Sequence, residues 1–136
     1  MLANGTTLEY KEKGGSNYTD LEGLKEIPEI GEEPEKVENT CLSDTSKIYE
    51  YGIGDPGELE FKFKYENSSA TSPYRVLRKA AEAKKILEFK LTAPDKTTFT
   101  WKAQVSIKLG GGGVNGVIEF TCKMALQSEI EVTDPS

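Results

Sequence analysis

Four sets of residues in this sequence are of types that do chemistry: the glycine run Gly110-Gly111-Gly112-Gly113, the cysteines Cys41 and Cys122, neighbouring carboxylates such as Glu32-Glu33, and a basic cluster running from Arg75 to Lys85. A phosphate-cradling loop needs Lys-Ser/Thr after its glycines and then a helix, so that amides and helix dipole converge on the anion. Here Val114-Asn115-Gly116 follow the glycines and a strand-like run comes next, so the stretch reads as a hairpin turn. The cysteines have no histidine to work with, because the chain contains none. That removes the commonest general base and metal ligand, every Ser-His-Asp or Cys-His arrangement, and a good zinc site. Carboxylate pairs hydrolyse glycosides in some enzymes, but those present lie in charged runs where nothing raises a pKa. The sequence reads as that of a non-enzyme, with no catalytic residues, no metal and no cofactor.

The elements that carry these residues are mostly strands. Thr6 to Lys11 is a short strand ended by Gly14-Gly15, and Leu24-Lys25-Glu26-Ile27 is another, stopped by Pro28. From Pro28 to Gly57 the chain has seven prolines and glycines, sparse apolar residues and no steady period. The segment at about 29–57 is therefore expected to be mobile alone, or ordered by something outside the subunit. Glu58 to Glu66 alternates cleanly, with Leu59, Phe61, Phe63 and Tyr65 on one side and charges on the other. Asn67-Ser68-Ser69 breaks it.

One helix follows, predicted over residues 73–85. Ser72 is placed to cap it and Pro73 suits its first position. Tyr74, Leu77 and Ala81 form its apolar stripe, flanked by Val76, Ala80 and Ala83, while Arg75, Arg78, Lys79, Lys84 and Lys85 take the outer face. Such a face fits anionic lipid, nucleic acid, an acidic partner, or simple contact with water. Next, Leu87, Phe89 and Leu91 alternate, Pro94-Asp95-Lys96 turns the chain, and two long strands run through Phe99, Trp101, Ala103, Val105, Ile107, Leu109 and through Ile118, Phe120, Cys122, Met124, Leu126. The sum is one domain over residues 1–136, mainly β, an antiparallel β-sandwich or barrel with one flanking α-helix and no internal repeats. Its aromatics fall on inward-facing positions, which disfavours a monomeric carbohydrate- or protein-binding module.

The formal charge is −6, unevenly spread. Residues 1–57 hold 13 acidic and 5 basic residues, residues 58–136 hold 10 and 12. An acidic half joined to a basic half suits head-to-tail contact between copies, or an acidic surface that is merely solvated. It argues against a basic nucleic-acid groove. The first residues have no basic or apolar leader pattern, and no apolar run reaches the roughly 18 residues that cross a bilayer. The expectation is synthesis in a cytoplasm with no membrane partner, reduced thiols at Cys41 and Cys122, and chance sequons at Asn4, Asn17 and Asn67.

The stretch Leu24-Lys25-Glu26-Ile27-Pro28-Glu29-Ile30-Gly31, continuing through Pro34, Val37-Glu38-Asn39-Thr40 and Leu42-Ser43-Asp44, resembles the major tail tube proteins of long-tailed phages. Glu58-Leu59-Glu60-Phe61, Tyr74-Arg75-Val76-Leu77-Arg78, Gly110 to Phe120 and Ala125-Leu126-Gln127-Ser128 extend the resemblance along the chain in order. The resemblance implies a virion component, assembled in the host cytoplasm into stacked hexameric rings through which the genome is ejected. A contractile-tail or secretion-system tube is the close alternative. Four strands from each of six copies would close a barrel of 24, roughly 45–50 Å across at ~4.8 Å spacing and ~40° tilt, wide enough for a duplex. Implied partners are the chain itself, tape-measure, tail-tip and terminator proteins, and double-stranded DNA that passes without specific binding. Candidate subunit contacts are Ile48, Tyr49, Tyr51 and Ile53 in the acidic segment and Arg75, Arg78 and Lys79 on the helix. Candidate channel-lining residues are Gln104, Ser106, Glu119, Thr121 and Gln127, with Lys102, Lys108 and Lys123 sharing their faces.

Overall fold

The computed structural model describes residues 4–30, 33–38, 40–43, 45–47, 49–55, 58–110 and 118–135, with backbone alone over 33–38 and 49–55. Its elements are β1 (Thr7–Glu12), β2 (Thr19–Asp20), β3 (Leu24–Glu26), β4 (Glu33–Glu38), β5 (Tyr49–Asp55), β6 (Glu58–Lys64), α1 (Pro73–Glu82), β7 (Ile86–Thr92), β8 (Thr98–Leu109), β9 (Glu119–Leu126) and β10 (Glu131–Thr133). Eight strands form one sheet in the order β2-β1-β7-β8-β9-β6-β3, with β10 also against β8, and β4 pairs only with β5. Every pairing is antiparallel.

This single sheet makes the expected sandwich by folding over itself. The first part of β8, Thr98–Gln104, lies against β7, and the last part, Ala103–Leu109, lies against β9. Phe61 sits opposite Cys122 and Cys122 opposite Ile107, which on a flat sheet would put Phe61 about 20 Å along the strand from Trp101. Yet the Phe61 and Trp101 rings stack with centroids 6.0 Å apart, and Trp101 Nε1 donates to Met124 Sδ at 3.4 Å. The sheet must bend near the middle of β8, laying β2-β1-β7 over β9-β6-β3 with Trp101 between them.

The two-residue alternation accounts for the core. Leu8, Leu87, Phe89 and Leu91 of one layer, and Leu59, Phe61, Phe63, Phe120, Cys122 and Met124 of the other, are all buried. Burying each large apolar side chain contributes about 1.5–3 kcal/mol. Phe63 stacks on Phe120 at 5.0 Å and Phe89 on Trp101 at 6.0 Å. Leu109 and Ile118 share the alternation but are 47% and 46% exposed, because the β8–β9 hairpin runs past the end of the sandwich. Gly110 N donates to Glu119 O at 2.8 Å, so β8 and β9 stay paired up to the first glycine of the run, and the rest of the run lies outside the described residues.

Helix α1 packs beside β8, with Leu77 and Ala80 buried. Tyr74 meets Phe120 edge-on at 5.4 Å and Tyr65 at 4.9 Å. Three features depart from the expectation. Ser72 does not cap the helix with its side chain; it is buried, donates to Glu66 Oε2 at 2.8 Å and accepts from Ser69 N at 3.1 Å. Ala83 is exposed, outside the apolar stripe. The helix stops at Glu82, because Lys84 takes φ 54° and the chain reverses there. Lys85 N donates to Ala80 O at 3.0 Å and Lys84 N to Ala81 O at 3.1 Å, the paired bonds of a left-handed helix end.

Strands β4 and β5 are the larger difference, lying in a segment whose pattern predicts no regular element. They form an antiparallel ribbon with a register shift between Pro34 and Lys36. A two-stranded ribbon needs no buried face, so nothing requires its sequence to alternate, and an irregularity accommodates the proline.

Candidate assembly surfaces

The channel candidates belong to the outer face of the layer β3-β6-β9-β8. Ser106 lies opposite Lys123 and Lys108 opposite Thr121, while Glu60 flanks Lys123 from the other side and Lys62 flanks Thr121. Of the lysines on this face, Lys123 has Glu60 beside it across the strand pair, whereas Lys108 lies opposite Thr121, and neither makes an ion pair among the described residues. Lys62 Nζ is 3.6 Å from Glu26, and Lys25 Nζ is 3.1 Å from Glu119. These partners lie 36 and 94 residues apart in sequence, and no local pattern reveals them. Ser106, Glu119 and Thr121 thus share one face. Gln104 instead donates to Lys84 O at 3.3 Å, joining the helix end. Gln127 lies just beyond β9, its Nε2 donating to Ala125 O at 3.3 Å.

This layer is open at both sides. Among the described residues β3 and the adjoining Gly23 cover β6 only from Lys62 to Lys64, and β7 ends opposite Gln104. Among the described residues no strand pairs with the outer edge of β8 from Val105 to Leu109. Gly110 N and Lys102 O both bond toward β9, so with an unbroken register the even-numbered residues of β8 serve β9. The backbone groups of Val105, Ile107 and Leu109 therefore point to the open edge.

The helix cations are not equivalent. Arg75 is half-buried and ties α1 to the preceding loop, its Nε donating to Asn67 Oδ1 at 2.8 Å and its Nη2 to Asn67 O at 3.0 Å. Arg78 stands 3.5 Å from Glu82 and lies over the Tyr74 ring. Lys79 is exposed and makes no ion pair among the described residues. The loop from Glu66 to Ser72, legible in sequence only as a strand breaker, is a hydrogen-bonded knot. Glu66 accepts from Ser68 N, Ser68 Oγ and Ser72 Oγ, and these bonds hold its carboxyl below the usual range.

Of the acidic-segment candidates, Ile48 lies outside the described residues, and Tyr49, Tyr51 and Ile53 lie on β5, with Tyr49 opposite Glu38 and Tyr51 opposite Lys36. Residues 29–57 hold 8 acidic and 2 basic residues, so they carry the whole formal charge of −6, and the remainder has 15 of each sign.

On the opposite layer, Tyr18 lies beside two lysines, Lys11 at 4.7 Å and Lys90 at 5.5 Å from its ring centre, and Lys11 stands 3.7 Å from Glu88. Burial, with Glu88 and Glu9 nearby, raises the Tyr18 pKa. Burial also pushes the Cys122 thiol far up, which makes it core filling. Cys41 is exposed. Among the described residues no group of three His, Cys, Asp or Glu side chains converges to hold a metal, and no helix is long and apolar enough to cross a membrane.

A family model described as "Phage tail tube, TTP, lambda-like" matches residues 1–109. No curated protein matches the sequence. Among solved structures, a chain of the anti-feeding prophage baseplate, 6-fold symmetrised, is similar at TM-score 0.76 and 16% identity, covering 98% of this chain and 95% of that one. A chain from the tail of an empty gene transfer agent particle, refined with C6 symmetry, gives TM-score 0.75 at 20% identity, covering 96% and 98%. A chain from the sheath/tube terminator of an extracellular contractile injection system gives 0.70 at 9%, covering 98% and 96%. At these identities the likeness is one of fold.

Proposed function

The chain belongs to the lambda-like phage tail tube family, and from that premise we propose that it polymerises as stacked hexameric rings whose channel carries the genome out of the virion. It is a structural subunit of a tail tube. No bond-making step and no cofactor is assigned to it.

The observation that carries the proposal is the layer β3-β6-β9-β8, open along β8 on one side and along most of β6 on the other. Exposed edges are a liability in a monomer and are removed by closure. Joining the β8 edge of one copy to the β3–β6 edge of the next gives 24 strands from six copies, a barrel wide enough for a duplex. The six-fold symmetry of the similar assemblies supports the ring size. In such a barrel the outer face of this layer, with Ser106, Glu119 and Thr121, lines the bore. Of its lysines, Lys25 and Lys62 pair with Glu119 and Glu26 and Lys123 lies beside Glu60, so acids are interspersed among the cations that face the passing DNA.

The remaining partners are proposed to be tape-measure, tail-tip and terminator proteins, with assembly in the host cytoplasm. The segment 29–57 becomes ordered against neighbouring copies, through Ile48, Tyr49, Tyr51 and Ile53. The likeness to anti-feeding prophage and injection-system chains favours, as a second reading, a tube inside a contractile sheath.

Leu109→Pro tests the edge. It removes an N–H on the open side and leaves the β8–β9 ladder intact, so the variant should stay folded and form no tubes by electron microscopy. Tubes as abundant as wild type would show that the rings close in another way.

A further inference from the structure

Helix α1 ends at one corner of the sandwich, where a groove runs between it and strands β1 and β7. Its floor is apolar and low, formed by Val76, Ala80, Ala83 and Leu87. Lys79 and Lys85 stand on its rim, and the depression continues past Lys85 to Lys13 and Lys84. Lys85 pairs with Glu12 at 3.2 Å. Lys13, Lys79 and Lys84 are exposed and make no ion pair among the described residues. Five basic side chains, Lys11, Lys25, Lys62, Arg78 and Lys85, make ion pairs among the described residues. At this corner three lysines that make none stand together around one depression.

Lys84 adds a second observation. Its φ of 54° is a conformation that glycine adopts without strain and a lysine does not. A cation at that place suits the carbonyl end of α1, and it also stands at the end of the groove.

The matching surface is in the same sequence. Residues 29–57 carry the chain's entire net charge, with Glu33, Glu35, Glu38 and Glu50 on the ribbon strands. Strand β5 reads Tyr-Glu-Tyr-Gly-Ile-Gly-Asp, with Tyr49, Tyr51 and Ile53 set among Glu50 and Asp55. An acidic ribbon that also carries Tyr49, Tyr51 and Ile53 complements a groove with an apolar floor and lysines on its rim.

We infer that the β4–β5 ribbon of one copy docks in the α1 groove of a second copy, its acids meeting Lys13, Lys79 and Lys84. This rests on the tube reading and adds the receptor for the acidic segment. It also moves the cationic partner from Arg75 and Arg78, which are engaged within the subunit, to the lysines at the helix end.

The test is charge exchange in the full chain. Lys13→Glu, Lys79→Glu and Lys84→Glu together should leave the melting transition of the monomer nearly unchanged, since exposed charges contribute little to folding. They should raise the protein concentration needed for tube formation by roughly tenfold or more at low salt. Combining them with Glu33→Lys, Glu35→Lys and Glu50→Lys should restore assembly. A triple variant that assembles like wild type overturns the docking and leaves the tube intact. A loss that the ribbon reversals do not rescue also overturns it, because the lysines would then be meeting something other than the ribbon. Wild-type protein that forms no tube under any condition would instead remove the tube reading itself.

Discussion

Phe61, Phe63, Phe89 and Phe120 are all fully buried in the folded sheet, whereas residues 29–57, which contain the β4–β5 ribbon, include eight acidic residues and no Phe or Trp. Both regions are antiparallel ladders, so backbone pairing does not distinguish them. The difference is what lies against each face. The sheet folds over its own aromatics and pairs many of its own charges. An isolated two-stranded ribbon is marginal in water, and ordering each backbone residue costs about 1–2 kcal/mol. Under the tube reading proposed above, this division separates two jobs: the sheet secures the monomer, and the ribbon becomes ordered when a neighbour supplies the other surface.

Amide exchange breaks or sharpens the contrast most directly. In the monomer, central β8 and β9 amides should exchange only through global opening, and the amides of 29–57 should exchange roughly a thousandfold faster or more. In the tube the segment should become protected. Strong and equal protection of 29–57 in both states would mean that the ribbon is a self-sufficient part of the monomer.

Truncating side chains asks the same question energetically. Trp101 touches both layers through Phe61, Phe89 and Met124, so Trp101→Ala should cost about 3–5 kcal/mol in a denaturant titration. Tyr51→Ala, on the ribbon, should change monomer stability by no more than about 0.5 kcal/mol while weakening assembly. A Tyr51→Ala monomer as destabilised as Trp101→Ala would place the ribbon within the folding core.

The contrast also explains what was legible in the sequence. Strands with one buried face write that burial as alternation, so β6, β7, β8 and β9 could be read from Leu59-x-Phe61-x-Phe63 and its counterparts, and with them the mainly β class and the single helix. The bend in β8 could not, since Trp101 and Val105 alternate alike whether the strand is straight or folded. The ribbon was missed as strands because two strands that pair with each other need no alternating face, and Pro34, Gly52 and Gly54 within them read as breakers. The cation roles were missed for a different reason. Arg75 and Lys79 are neighbours on one helix, and only the position of Asn67 decides that one is a structural tie and the other is exposed. The offsetting of Lys25 and Lys62 by Glu119 and Glu26 likewise depends on strand order.

A smaller effect is expected at the knot before α1. Ser72→Ala strips a hydrogen bond from Glu66 and one from Ser69 N, a loss of about 1 kcal/mol read as a lower melting temperature. The Glu66 carboxyl is held below its ordinary pKa by Ser68 and Ser72. Its contribution is present above the unfolded carboxylate pKa, about 4.3, and is lost as pH falls through the lower folded value. Between about pH 5 and pH 3, wild type should therefore lose more melting temperature than Glu66→Gln. Parallel profiles would show that the knot does not couple to Glu66 ionisation.

The smallest effect is a gain, and it tests whether the body keeps a costly residue for a neighbour's benefit. Lys84 holds φ 54° at the end of α1, where the two bonds to Ala80 O and Ala81 O fix the turn whatever the side chain. A lysine in the left-handed region is disfavoured by about 1–2 kcal/mol, and glycine returns part of that through its more flexible unfolded chain. Lys84→Gly should thus stabilise the monomer by about 0.5–1 kcal/mol, raising the melting temperature by a few degrees. If the lysine serves the folded subunit alone, tube formation should improve or stay the same. If it serves the ribbon of a second copy, the same variant should melt higher and assemble less readily. Folding and polymerisation moving in opposite directions on one substitution is an outcome that a purely structural lysine does not produce.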